Sequence, residues 1–490
     1  MKKYLSLWTA PLLWQAGLAA VPASAQAQVV AMPNTTDTAV TQRGDQFDIV
    51  GGAQAGGNLF HEFEALSIDP AQTANFISGS DVFNIVGRVS GGHPSYINGQ
   101  VRVSGSNANL YLINPSGVLF GPNAQLSLQG SFTATTADQI GFGEAWLKAS
   151  EHNVDYSALA AAPSALRFTS AKEGANSRAS AVVNQGNLAV AADQSILLVG
   201  GSVVNTGELS APGGAVSLVA VNGQDTLRLG VPGSLLSLEI VPSAIALSKT
   251  KSAEDGAFQL TDLAALITGS PVQGASTLIV NDDGSVTLGG SVVEAAGVAV
   301  SGDISVRSPE AAGGTVVLLG DSVNVVNAVV DASGAQGGTV RIGGGYRGQG
   351  KLPTARRTRL DAASVVRADG EVRAGGDVVV WADDEAVIKG TISARGETAG
   401  GSVETSAHYL DAEGIRVDAA GKTGAGRWLV DPVDVEVVSG VAGVNQISSS
   451  TIASTLNGGT SVEVSTSGVG SEGGDISLLT SINKTTANAA

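Results

Sequence analysis

YLINPSGVLFGPNAQLSLQGSFTATTADQIGFG, residues 111–143, is the stretch that decides the fold. At its centre Asn114-Pro115-Ser116-Gly117-Val118 spells a tight turn. Asn opens it, Pro fixes φ, and Gly supplies a backbone state that residues with a Cβ avoid. A second turn follows at Gly121-Pro122-Asn123. Short apolar runs at 110–113, 118–120 and 126–128 surround both, each of strand length. Strand and turn alternate in quick succession.

The same pattern continues beyond this stretch. Val183-Asn184-Gln185-Gly186 and Val204-Asn205-Thr206-Gly207 are one turn repeated 21 residues apart. Gly-Gly-x-Val begins at Gly200, Gly213, Gly289, Gly313, Gly337, Gly375 and Gly400, and from Gly289 onward the steps are 24, 24, 38 and 25 residues. Such a period is that of one coil of a parallel β-helix, with three short strands per coil. The Gly pair permits a sharp corner, and the Val two places on points into the coil. The expected inward stripe is Val203, Val216, Val316, Val340, Val378 and Val403.

Three stretches interrupt the period. Residues 144–180 mix helix-forming residues with Asn, Asp and Pro, and read as an excursion. Residues 239–271 read as another, in which 260–269 suits a short amphipathic helix or a covering loop. The 38-residue step predicts a protruding loop within 343–360. Residues 28–54 are polar and weakly patterned, as a cap would be. Phe60, Phe63, Phe76, Phe83, Phe120 and Phe132 cluster in the next ninety residues or so, which suggests a better-packed end that closes an exposed strand edge. Gly473-Gly474-Asp475-Ile476 begins what reads as a further coil.

Composition sets the address. The chain has 490 residues, too many for one ordinary domain, and its 65 glycines with only 4% aromatics fit thin repeated strands better than a large globular core. Lys2-Lys3, the apolar run 5–14, and small residues ending at Ala25 or Ala27 read as a secretory leader with its cleavage site. No later run is long and apolar enough to span a bilayer as a helix. There is no cysteine, so an exported chain must be held by stacked strands rather than disulfides. A net charge of −17 disfavours nucleic acid and anionic lipid as partners.

Side chains suited to catalysis do not assemble in the sequence. His61, His93, His152 and His408 are scattered without metal-ligand spacing, and the expected metal and cofactor content is none. Asp383-Asp384-Glu385 are adjacent acids that cannot all face one ion. Arg356-Arg357-Thr358-Arg359 reads as a solvated loop in preference to a sulfated-glycan patch. No acidic positions are seen to recur at the coil period, as a polysaccharide-cleaving groove would require.

Four blocks in order carry a resemblance: GGNLFHEFEALSI (56–68), NIVGRVSGGHPSYINGQVRV (84–103), NPSGVLFGP (114–122) and GSFTATTADQIGF (130–142). Together they resemble the haemagglutination-activity domain, the secretion domain of two-partner-secretion exoproteins such as filamentous haemagglutinin. In that family the turn reads Asn-Pro-Asn-Gly-Ile, so Ser116 replaces the second Asn, and a further Asn-Pro-Asn-Leu motif is absent here. GRWLVDP (426–432) resembles a segment of the family's long members. The resemblance implies an all-β fold, a right-handed parallel β-helix with an N-terminal capping secretion domain. The expected division is leader 1–27, secretion domain 28–180, β-helix repeats 181–438, and a further, truncated repeat 439–490.

The resemblance also implies a partner, an outer-membrane β-barrel transporter with periplasmic POTRA domains. Asn114, Pro115, Ser116, Gly117 and Val118 are the expected secretion motif. The implied role is that of a Gram-negative exoprotein that reaches the cell surface through the periplasm. There it acts as an adhesin that binds a host or cell-surface glycan or protein receptor. The alternative is a secreted polysaccharide-active β-helix enzyme.

Overall fold

The computed structural model describes residues 29–486, except 153, 170–179, 222–224, 230–238, 243–277, 281–285, 289–290, 294–296 and 467–473. The chain winds as a right-handed parallel β-helix, the hand that parallel crossovers take. Each coil visits three faces in turn. One coil lays Asn109–Ile113 on the first face, Val118–Phe120 on the second and Gln125–Ser127 on the third. The next coil lays Phe132–Thr135, Ala181–Asn184 and Asn187–Ala189 on the same three. The faces grow into sheets of 14, 12 and 12 strands. At the N-terminus the pairing turns antiparallel, where Val29–Ala31 and Ala53–Ala55 join Asn58–Leu66 and Ala39–Arg43 joins Gln46–Val50, closing the first coil's edge.

Inward positions stack residue on residue. Val216, Val316, Val340, Val378 and Val403 lie in direct register on the first face, continued by Trp428, and all are fully buried. Burying each valine stabilises by roughly 1.5–3 kcal/mol, so the column supplies a large part of the cohesion between coils. Val203 is buried too, but on the second face, in register with Val182 and Val298. The reason is that Gly200-Gly201 turns the chain from the first face to the second, whereas the pairs at Gly213, Gly313, Gly337, Gly375 and Gly400 turn it from the third to the first. The Gly289 repeat departs further. Its two glycines lie outside the described residues, and Ser291–Val293 pairs antiparallel with Val286–Leu288 instead of joining the stack.

A second core lies outside the coils. On the first face the outward side chains Phe60, Val86, Ile113, Val199, Val219 and Val317 are apolar and need a cover. The cover is a five-stranded antiparallel sheet built from Gln139–Phe142, Ala145–Lys148, Pro163–Arg167, Asp225–Arg228 and Glu239–Pro242, which seats Ile140, Leu147, Leu166 and Leu227 on that surface. The stretch read as an excursion from the coils thus supplies two strands of this cover, Ala145–Lys148 and Pro163–Arg167, and, among its described residues, a short 3-10 turn at Tyr156–Ala158. The run 260–269 lies outside the described residues. Five of the six early phenylalanines are buried, whereas Phe83 is 67% exposed and lies over Gly57.

Towards the C-terminus the insertion runs from Gly343 only to Arg356. Arg357–Leu360 is a strand of the second face with Thr358 and Leu360 buried, so the basic run is not a solvated loop. Arg356 pairs with Asp321 at 3.0 Å. A helix, Ser449–Asn457, is capped by Ser448 Oγ accepting from Thr451 N (3.1 Å) and covers the third face's end. Ser461–Val464 and Ile476–Leu478 extend the first and second faces. Among the described residues no helix is long and apolar enough to cross a membrane.

Candidate functional site

The Asn114–Val118 turn is built into the coil wall. Asn114 is 1% exposed. Its Nδ2 donates to the carbonyl of His93 (2.9 Å) and to Ser95 Oγ (3.0 Å), both one coil below. Its Oδ1 accepts from Ser116 N (2.9 Å), and its carbonyl from Gly117 N (3.0 Å). These bonds close the turn that Asn and Pro announce. Gly117 has φ +119°, and its carbonyl accepts from Ser95 N (3.0 Å). From the coil above, Ser180 Oγ donates to the Pro115 carbonyl (2.5 Å). Val118 is buried between Ser95 and Val182. Pro115 and Ser116 are the half-buried crest. The five residues thus bind three consecutive coils together, and the Asn114 side chain offers nothing to a partner once folded. Ala25 and Ala27 lie outside the described residues.

Two polar features of the same region were not foreseen. Asn58, Asn84 and Asn109 stack in register on the first face, Asn84 Nδ2 donating to Asn58 Oδ1 (2.9 Å) and Asn109 Nδ2 to Asn84 Oδ1 (3.0 Å). Asn58 Nδ2 reaches the carbonyls of Leu159 (2.7 Å) and Ala161 (2.6 Å), tying the ladder to the outer cover. A shorter ladder joins Asn184 Nδ2 to Asn205 Oδ1 (2.8 Å) at the Val-Asn turns. Each rung satisfies side-chain groups that burial would otherwise leave costly.

The second feature is an ion pair. Glu62 and Arg88 stand on adjacent strands, both essentially inaccessible, in direct contact beneath the cover. Glu62 also accepts from Ser90 Oγ (2.7 Å) and lies 3.0 Å from His152 Nδ1. Arg88 donates to the carbonyls of Lys148 and Glu151 and to the Tyr156 hydroxyl (3.3 Å). A buried pair whose Nη atoms and carboxylate oxygens all have partners holds its geometry; losing one partner strands a charge. The sequence carried a signal for both features. Asn58, Asn84 and Asn109 are 26 and 25 residues apart, and Glu62 and Arg88 are 26 apart, one coil in each case.

The histidines separate by position. His61 points into the coil with Nδ1 3.1 Å from Thr38 Oγ1 and no hydrogen-bond partner on Nε2, and burial pushes its pKa down to about 4. His152 meets Glu62, and the His408 ring packs on Tyr409 at 4.5 Å between centroids. Asp383 is engaged by Trp381 Nε1 (2.9 Å) and Thr354 Oγ1 (2.7 Å).

The sequence model of the TPS secretion domain family matches residues 25–288, more than half of the chain. Among solved structures, the HMW1 secretion domain from Haemophilus influenzae matches at 24% identity and TM-score 0.45, covering 81% of this chain and 98% of its own. The filamentous hemagglutinin secretion domain matches at 14% identity and TM-score 0.32, covering 89% of this chain and 99% of its own. No curated protein sequence matches.

Proposed function

Because this chain belongs to the TPS secretion domain family, and so is a secreted two-partner-secretion exoprotein with an outer-membrane transporter as partner and not an enzyme, we propose how that partner uses it. The chain leaves the cytoplasm behind the leader 1–27, cut after Ala25 or Ala27, and crosses the periplasm unfolded. There the POTRA domains of the transporter recognise residues within 28–180, with Asn114–Val118 among them. The chain then passes through the barrel and folds outside, and at the surface it acts as an adhesin.

The observation that carries this reading is the burial of Asn114. A side chain locked to His93 and Ser95 of the coil below has no surface left for recognition in the folded state. Recognition of this motif then belongs to the unfolded chain, and in the folded chain the same residues close a turn. Folding outside also supplies direction. Each coil buries its apolar column on the coil before it, which opposes return without any nucleotide.

The test is secretion from cells that carry the cognate transporter. A chain ending near Phe168 is expected outside the cell, and the chain lacking residues 56–142 is expected to stay in the periplasm although it keeps most of the repeats. Extracellular appearance of the deleted chain would overturn the assignment of the recognised region.

A further inference from the structure

At the corner where the third face turns into the first, coils in the second half of the molecule share a groove of about 560 Å³. It crosses five successive coils, from Arg307 to Lys422. At the usual strand spacing of roughly 4.8 Å, five coils make it about 20 Å long, with its axis along the solenoid. Gly370, Gly396 and Gly421 bridge one another in register and form a floor free of side chains.

The walls carry charges that recur at the coil period, which had not been seen in the sequence. Asp331, Arg367, Ser393 and Asp418 form one register row. Beyond it lie Asp369 and Arg395, then Glu371, Glu397 and Lys422. Most of these groups satisfy one another. Arg307 pairs with Glu371 and Lys422 with Glu397. Asp369 accepts from Ser393 Oγ and from Arg395 N (2.7 Å), and Asp331 from Ser333 N (2.9 Å). Two cations are different. Arg395 is 61% exposed and reaches Asp369 and Asp418 only at 3.9 Å. Arg367 is exposed at the middle of the groove, and no carboxylate among the described residues lies within ion-pair distance of it.

We propose that this groove binds a linear oligosaccharide that carries uronate carboxylates. The reading rests on the surface location argued above. Sugar hydroxyls donate and accept, which suits walls where carboxylates and guanidinium groups alternate. Arg367 and the loosely held Arg395 supply planar forks for a sugar carboxylate. The five acids that line the walls or stand in their rows oppose any anion, so a chain with one carboxylate per ring, which Arg367 and Arg395 can meet, is favoured over a densely sulfated chain with several charges per ring. A peptide would look for apolar pockets or a free strand edge, and the groove offers neither. The stack also presents similar groups once per coil, so an extended polymer can place successive rings against successive coils.

The experiment uses the purified full chain and three probes in calorimetric titrations: a galacturonate hexamer, a neutral glucose hexamer and a heparin hexasaccharide. The galacturonate hexamer is expected to bind best, and Arg367→Gln to weaken it at least fivefold while Arg367→Lys keeps part of the affinity. Arg367 takes no part in the core, so the thermal unfolding of Arg367→Gln is expected to match that of the unaltered chain. Absence of galacturonate binding, equal binding by Arg367→Gln, or tighter binding of either other probe would overturn the proposal. Secretion with the cognate transporter is measured on the same variants. Retained secretion with lost binding concerns only the groove, and failed secretion of the unaltered chain concerns only the export reading.

Discussion

The first face is covered twice, and the two covers bury charge in opposite ways. Near the N-terminus the antiparallel sheet closes over Arg88 and Glu62, where both Arg88 Nη atoms and both Glu62 carboxylate oxygens meet partners. Towards the C-terminus the insertion 343–356 closes over Glu404 and Asp431, two acids on neighbouring strands that are 1% and 3% exposed. Arg347, held at φ +53°, lends its backbone N–H to both Glu404 oxygens (3.0 and 3.1 Å), and its guanidinium stands 3.9 Å from Asp431. Neither Asp431 oxygen accepts a hydrogen bond. Burial raises the pKa of Glu404, its neighbours only partly offsetting the lost hydration. Both covers answer one need, an apolar outer surface. The first is fixed by a dense network around a matched ion pair, and the second leaves Asp431 without a hydrogen bond.

The same substitution is therefore expected to act differently at the two places, and this is the largest effect. Glu62→Gln leaves Arg88 buried beside a neutral amide and should cost about 3–5 kcal/mol. Glu404→Gln removes a charge that burial already disfavours and should change stability by less than about 1 kcal/mol. Urea unfolding of the two variants against the unaltered chain measures both. Equal losses would mean that the covers are equivalent.

The pH dependence sharpens the contrast. His61 is held near pKa 4 when folded against an ordinary value of 6.5. Between these values the unfolded chain binds the extra proton, so stability falls as pH drops through this window. A shift of that size amounts to roughly 3 kcal/mol once pH is below 4. Glu404 runs the other way. Its folded pKa lies above its unfolded one, so its contribution is fully present below the unfolded pKa and is lost as pH rises through the folded value. His61→Asn should flatten the acid limb of a melting-temperature profile, and Glu404→Gln should remove the opposing slope. An acid limb unchanged by His61→Asn would show that His61 is not desolvated as its surroundings imply.

The sequence showed the repeating part more plainly than the irregular one, for a physical reason. A coil repeats because each Gly-Gly corner must pass the corner below it, and each Val must fall on the Val below. Both constraints are local and periodic, so Val316, Val340, Val378 and Val403 could be placed by counting. The covers obey no period. Leu147 and Leu166 sit where they do because Phe60 and Val86 face outwards, and that depends on contacts far apart in the chain. A sign was present in runs such as Ser195–Gly200 and Thr315–Leu319, where apolar residues are continuous instead of alternating, as in strands buried on both sides. The turn at Asn114 was legible as a turn. Its clamp on Ser180 was not, because 180 reaches the next coil only after the excursion.

The smallest expected effects separate the regions by the reason each keeps its glycine. A Cβ on Gly401 would meet the Gly376 carbonyl oxygen at 2.1 Å, a backbone atom of the coil below, and the backbone angle at Gly401 is ordinary. Gly401→Ala must push coils apart, at about 1–3 kcal/mol by the measure of overpacked cores. A Cβ on Gly117 would meet nothing nearer than the Ala181 carbonyl oxygen at 3.5 Å, but φ is +119°. Gly117→Ala therefore carries only the backbone penalty, on the order of 1 kcal/mol. Both penalties act on the folded state alone. Binding of the unfolded segment to the transporter's isolated POTRA domains should then be unchanged by Gly117→Ala, while secretion slows because an early turn closes less readily outside. Gly401→Ala, in a coil formed after many others, should lower the melting temperature more and slow secretion less. Weakened POTRA binding by Gly117→Ala would reverse this reading, because the glycine would then be recognised directly and not merely required for folding.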